Sequence, residues 1–195
     1  VIPADAAYLQ AVQQLCKERG LLLIIDEVQT GFCRTGKWFG FEHAGISPDA
    51  VTMAKGMGNG MPVGALWARR DIASVLQPGD HGSTYSGTAL ATAAVSAVIS
   101  EMKRLHADEL AVRQGARLTK GLLAIPKVES VRGAGLLLGA QLVDGLVAGD
   151  VYKALLGKGL IVNAVNASTL RLAPPLTVSD AEIDEAVALI EEVLS

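Results

Sequence analysis

Apolar positions along the chain fall into two rhythms, one of helices and one of short strands. Over residues 5–19 they recur at helical spacing. Leu9, Val12, Leu15 and Cys16 make one stripe, and Gly20 follows as a stop. Leu21 to Ile25 then run without a polar break, which after a helix and a glycine predicts a buried parallel strand. The run ends abruptly in Asp26-Glu27. Residues 31–49 carry Gly31, Gly36, Gly40, Gly45 and Pro48 and are predicted as loop. Ala50 to Ala54 predict a second strand with Lys55 at its end. The stretch GMGNGMP follows as a flexible loop, then a third apolar run over Val63–Ala68. Residues 88–105, rich in Ala, predict a helix able to pack closely against other backbone.

From about Leu105 the pattern changes. Helix 108–123 carries more charge. Val128 to Leu142 read as two strands broken at Gly133-Ala134-Gly135. A short helix over 149–157, a strand over Leu160–Ala164 and another over Thr169–Leu172, closed by Pro174-Pro175, come next. The last helix opens on a capping box, Ser179-x-x-Glu182, and aligns Ile183, Val187, Ile190 and Leu194 on one face. This order predicts an α/β chain of two parts: 1–104 as part of a larger domain and 105–195 as a small α+β domain. The boundary falls near 103–107, with a helix crossing it. No internal repeat or low-complexity tract interrupts either part.

Composition narrows the function classes. Of 195 residues, 50% are hydrophobic and 19% charged, an ordinary globular balance. The formal net charge of -3, with no basic stripe, gives no reason to expect nucleic acid. No apolar run approaches a membrane span. The start, Val-Ile-Pro-Ala-Asp, has neither a basic n-region nor a signal-like stretch, and reads as an interior start. Cys16 and Cys33 make no disulfide framework, which predicts a reducing, cytoplasmic setting. His43, His81 and His106 show no metal-ligand spacing. Many of the 21 glycines cluster at 56–64 and 79–87, as in loops that approach something closely.

The candidate chemistry lies at two strand ends. Open parallel sheets present ligands beyond the carboxyl ends of their strands. Asp26 after LLLII and Lys55 after AVTMA would face one crevice there. An amine and a carboxylate among glycines suit a pyridoxal cofactor, whose aldehyde needs a lysine and whose ring nitrogen needs a carboxylate to keep it protonated. The pair alone also fits a bland alternative, a capping aspartate and a solvated lysine. GMGNG is not a phosphate P-loop, because the lysine precedes the glycines. Trp38, Phe39 and Phe41 are read as packing beneath the site rather than as a ligand platform. Glu27 is read as structural.

The residues around the pair carry a longer pattern. LLLIIDEVQTGFCRTGKWFGFEHAGISPDAVTMAKGMGNGMPVGA, then GDHGSTYSGTALA, then LRLAPPLTVS resemble the class III (subgroup III) aminotransferases of fold type I. Within them the likeness is greatest to acetylornithine aminotransferases, with ornithine and 4-aminobutyrate aminotransferases as near relatives. The resemblance implies pyridoxal 5'-phosphate as cofactor, Lys55 as the lysine bound to its aldehyde and Asp26 as the carboxylate on the pyridine nitrogen. It implies that Val28 packs on one face of the ring and that Gln29 bonds the ring hydroxyl. Thr84 would reach the cofactor phosphate of a neighbouring subunit, and Ser83 would border that subunit's substrate pocket. Arg171 would lie near a substrate carboxylate.

The resemblance also implies a fold: the C-terminal part of the large cofactor domain, with a mostly parallel sheet, and the small domain. It implies transfer of an amino group from an ω-amino donor such as N-acetylornithine to 2-oxoglutarate, in arginine biosynthesis, by a homodimer with shared sites. Only the second half of the family's length is matched. The first half would carry the phosphate loop, the stacking aromatic residue and a substrate arginine. An acidic residue paired with Arg171 would fall just before Val1. The alternative is a non-catalytic half that only folds and associates. One stretch departs from the family's pattern: Ser86, Thr88 and Ala89 stand where glycine, asparagine and proline are common.

Overall fold

The computed structural model describes residues 1–195, which form two compact units: Ala4–His106, and Ala107–Ser195 together with Val1–Pro3. In the first unit, helix α1 (Ala6–Arg19) starts where the Asp5 carboxylate accepts the Ala7 N–H and ends at Gly20, whose φ of 64° is a left-handed stop. Its Leu9, Val12 and Cys16 pack against Leu23, Ala44 and Ile46, whereas Leu15 is exposed.

The expected strand over Leu21–Ile25 is shorter and shifted. β1 is Ile24–Asp26, and Leu21, Leu22 and Ile24 are exposed instead of buried. β1 has a partner on one side only, and no element of the chain covers the face that carries Ile24. It pairs in parallel with β2 (Ala50–Met53), and β2 pairs antiparallel with β3 (Ala65–Ala68), in the order β1-β2-β3. Asp49 ties the strand entrances together: its carboxylate accepts the Leu23 N–H at 2.7 Å and meets Arg69 at 2.7 Å.

A short helix α2 (Arg70–Ala73) and a long loop lead to α3 (Ala89–Leu105), capped by the Thr88 hydroxyl. No single helix crosses the boundary. His106 takes a left-handed φ of 50°, its N–H caps the last turn of α3, and α4 (Ala107–Leu123) begins at the next residue.

The second unit is a four-stranded antiparallel sheet backed by helices. Its strands are β4 (Val128–Ala134), β5 (Leu137–Leu142), β6 (Asn163–Ala164) and β7 (Thr169–Leu172), ordered β4-β5-β7-β6. Leu138, Ala140, Leu142, Leu170 and Leu172 point to one face. There they join Leu118 and Leu122 of α4, Leu155 of α5 (Ala148–Gly157) and Ile183, Ile190 and Leu194 of α6 (Asp180–Leu194) in one core. Alternation along the strands leaves a second face carrying Arg132, Gly139, Gln141, Thr169 and Arg171.

The strand expected over Leu160–Ala164 shrinks to two residues. The Leu160 N–H is used by the Leu155 carbonyl, closing α5, so the chain turns before it can pair. Gly115 is fixed by packing, because a Cβ there would collide with the Gly135 carbonyl in the β4–β5 turn. The α6 capping box forms, with Ser179 Oγ accepting the Glu182 N–H and Glu182 Oε2 accepting the Ser179 N–H at 2.7 Å.

Candidate active site

Asp26 is the last residue of β1, with its carboxylate at the carboxyl end of the parallel pair β1–β2. The Thr52 hydroxyl, on the residue directly opposite in β2, donates to Asp26 Oδ1 at 2.9 Å. The Val28 N–H donates to the same oxygen at 3.0 Å. Both bonds favour the charged form. The Val28 N–H, then the Thr52 hydroxyl and, more weakly, the Lys55 ammonium hold the Asp26 pKa below the usual carboxylate value against a small opposing effect of burial. Both donors sit on Oδ1, so Oδ2 is left to accept from a ligand. Asp26 can therefore stay ionised and still bind a cationic N–H.

Lys55 follows β2 by two residues, at the same end of the sheet, and its side chain is exposed. Its φ of 44° lies in the left-handed region, which costs a non-glycine residue about 1–2 kcal/mol. The surrounding turn holds it there. The Lys55 carbonyl accepts the N–H groups of Gly58 at 3.1 Å and Asn59 at 3.2 Å. A Cβ at Gly58 would collide with the Met61 carbonyl, so the GMGNG stretch is a tight turn and not slack chain. Residues held by their surroundings in sparsely populated backbone conformations cluster at active sites and ligand clamps.

Glu27, beside Asp26, is 1% exposed. It accepts from the Thr30 hydroxyl at 2.5 Å, the Gly40 N–H at 2.9 Å and the Phe41 N–H at 2.8 Å. A buried carboxylate with three donors is satisfied, and here it folds the loop 27–41 back on itself. That loop carries half-buried Val28 and exposed Gln29 directly after Asp26. The aromatic residues of the loop pack on one another: Phe39 meets Phe32 edge-on at 5.8 Å and stacks on Phe41 at 5.5 Å. Thr52 went unrecognised in the sequence. A threonine in a strand carries no local signal, and its role depends on the register that sets it opposite Asp26.

Comparisons with known proteins identify the family. Residues 1–194 match the family model for aminotransferase class-III. The chain belongs to the class-III aminotransferases. It is 46% identical over 199 residues to the acetylornithine aminotransferase of Listeria monocytogenes serotype 4b, covering 100% of this chain and 51% of that protein. With the acetylornithine aminotransferase of Bacillus subtilis strain 168 it is 45% identical over 198 residues, again covering 100% and 51%. Among solved structures it superposes on the ornithine aminotransferase from Toxoplasma gondii ME49 with a TM-score of 0.90 at 32% identity, covering 97% of this chain and 47% of that one. The acetylornithine aminotransferase from Elizabethkingia anophelis gives 0.89 at 32% identity, covering 97% and 51%. The chain thus spans about half the length of the curated relatives it matches.

Pyridoxal phosphate is the cofactor of class-III aminotransferases, and the residues present fit it. An ionised carboxylate with one free oxygen and an exposed amine stand at the ends of neighbouring parallel strands. The remaining candidates lie elsewhere in the class-III chain. Ser83 and Thr84 are exposed on the loop before α3, next to Tyr85 at 84% exposure. Arg171 is on β7 of the second unit, half-buried. Asp26 ends β1 and Lys55 follows the neighbouring strand β2 of the first unit, with Val28 and Gln29 following Asp26 in the chain, and Ser83 and Thr84 sit on a separate loop of that unit.

Proposed function

We propose that this chain forms the lysine-bearing part of an aminotransferase active site. The reaction moves an amino group from an ω-amino donor such as N-acetylornithine to 2-oxoglutarate. The observation that carries the reading is the pairing of Asp26, fixed by Thr52 and Val28, with Lys55 on the next parallel strand. Bound pyridoxal phosphate supplies the electron sink for breaking the substrate's C–H bond. Asp26 keeps a proton on the ring nitrogen by remaining ionised beside it. Lys55 would hold the cofactor through its amine and, when that amine is free, would take up and return the proton lost from the substrate carbon. Val28 and Gln29, presented by the Glu27-folded loop, would pack on the ring and bond its hydroxyl, as the resemblance implies.

Ser83 and Thr84 serve the site of a second subunit in a homodimer, and Arg171 receives a substrate carboxylate. The names of the relatives support N-acetylornithine as donor, and we place that reaction in arginine biosynthesis. Ornithine is the second donor reading, favoured by structural neighbours described as ornithine aminotransferases. No helix is long and apolar enough to cross a membrane, and we place the protein in the cytoplasm. The 195 residues alone are expected to be inactive, since the resemblance puts the phosphate cradle in the other half. The alternative, a half that only folds and associates, makes the same family match but predicts no labelled lysine. Borohydride reduction of the full-length, cofactor-loaded protein followed by peptide mapping is expected to place the pyridoxyl group on Lys55, and Lys55→Ala to abolish turnover. A label on another lysine would sink the assignment.

A further inference from the structure

Glu27 lies between Asp26 and Val28 in the chain, and the cofactor chemistry gives it no part. It is 1% exposed and is joined to three separate pieces of the first unit. Its backbone N–H donates to the Thr52 carbonyl at 2.9 Å, which carries the β1–β2 pairing one residue past Asp26. Its carbonyl accepts the Gly31 N–H at 3.0 Å, and its Oε2 accepts the Thr30 hydroxyl at 2.5 Å. From the far limb of the loop the Gly40 N–H donates to Oε2 at 2.9 Å and the Phe41 N–H to Oε1 at 2.8 Å.

Val28 and Gln29 stand between Glu27 and Thr30, so they lie inside a turn that is closed twice, by backbone and by side chain. Two glycines show how little slack that turn has. A Cβ at Gly31 would meet the Glu27 carbonyl oxygen at 2.8 Å. One at Gly40 would meet Thr30 Cβ at 3.1 Å and both Glu27 carboxylate oxygens at 3.3 Å. Both limbs of the loop are therefore packed directly on Glu27.

We propose that Glu27 is a positioning residue for the cofactor: by tying both limbs of the 27–41 loop to the end of β1, it sets Val28 and Gln29 in place for the ring. The proposal rests on the reading of Gln29 as the partner of the ring hydroxyl. Glu27 spends both oxygens on these donors and is not itself a cofactor ligand. A carboxylate suits this task where an amide does not. Every group facing it is a donor, and two of them are backbone N–H groups that cannot reverse their role. A glutamine of the same shape would aim its NH2 at the Gly40 or the Phe41 N–H, whichever way it is flipped. The cost falls on the seated loop, and a loop seated for less of the time binds its ligand more weakly in proportion.

The test uses the full-length protein freed of cofactor and titrated with pyridoxal phosphate. Two quantities are read for each variant: the Kd, and the pH midpoint of the bound cofactor's visible absorption. Gln29→Ala is expected to weaken binding and to move the midpoint. Glu27→Gln is expected to weaken binding about tenfold, as a buried donor left facing a donor implies, and to move the midpoint in the same direction. In the Gln29→Ala background Glu27→Gln should move the midpoint no further, a non-additivity that loss of stability alone would not produce. Thr30→Val keeps the carboxylate and both backbone donors, so it decides the matter if Glu27→Gln folds poorly. It should weaken binding about threefold, as loss of one hydrogen bond implies, with a midpoint shift of the same sign. Unchanged Kd and midpoint in either variant would overturn the proposal. A lowered melting temperature with an unmoved midpoint would overturn it too, leaving Glu27 a role in stability alone. So would equal midpoint shifts with and without Gln29. An unmoved midpoint in Gln29→Ala would instead overturn the reading of Gln29 on which the proposal rests.

Discussion

The chemistry of a strand-end carboxylate depends on which of its two oxygens is already engaged. Asp26 has Oδ1 committed to the Thr52 hydroxyl and the Val28 N–H, so its charge is stabilised while Oδ2 is left open. Thr52→Val, of nearly the same shape, removes one of the two bonds. The Asp26 pKa should then rise toward its ordinary value of 3.8, because the second of its lowering causes is gone. The sign for stability follows. A lowered carboxylate pKa contributes stability that is present above the unfolded pKa and lost as pH falls through the folded one. Thr52→Val should shrink that contribution and start its loss at a higher pH. Titration of the Asp26 carboxyl by NMR in the two proteins checks this, and an unmoved midpoint would remove Thr52 from the account. Asp26 and Lys55 were legible as candidates because each terminates an apolar run. Thr52 was not, because its partner is set by the strand register.

Among the elements, helices were read closely and strands less so, for a physical reason. Helix ends are written locally, in Asp5, Gly20, Thr88 and the Ser179/Glu182 box, so the bounds of α1, α3 and α6 fall near their caps. The exception is His106: a left-handed histidine carries no such signal, so helices were read over 88–105 and 108–123 yet one was still expected to cross the boundary. Strand extent depends instead on neighbours. The apolar run Leu21–Ile25 implied a strand covered on both faces, but only Ile24–Asp26 pairs, and only with β2. Leu21, Leu22 and Ile24 are between 54% and 58% exposed, and Leu66 and Trp67 of β3 are 60% and 50% exposed. Both outer strands of the β1-β2-β3 sheet thus have an unpaired edge beside apolar side chains, a template for pairing with another chain. The 195 residues prepared alone should therefore self-associate. Analytical ultracentrifugation is expected to show dimers or larger species that give way to a defined complex when the remaining half of a full-length relative is added. A monodisperse monomer would show that these edges need no cover.

At the scale of the molecule, the question is whether one chain completes its own site. Thr84 is exposed on the loop before α3 and is flanked by large apolar side chains that nothing in the chain covers, Tyr85 at 84% and Leu90 at 69% exposure. A hydroxyl set among such residues suits a surface that packs on a second copy. If Thr84 contributes to a neighbour's cofactor site while Lys55 serves its own, the two roles can be separated by mixing chains. Full-length Lys55→Ala and Thr84→Ala proteins should each be weak, the first through loss of the anchoring amine and the second through loss of a phosphate contact. In a mixed dimer one site then carries both lesions and the other carries neither. Unfolding and refolding the two together at equal concentrations should yield about one half mixed dimers, and so about a quarter of wild-type activity, as random pairing of a two-fold dimer requires. The recovered activity should have wild-type KM, since the intact site is wild type in every residue. Activity no greater than the mean of the two parents would mean that each chain builds its own site, and that Tyr85 and Leu90 are covered by something other than a second copy.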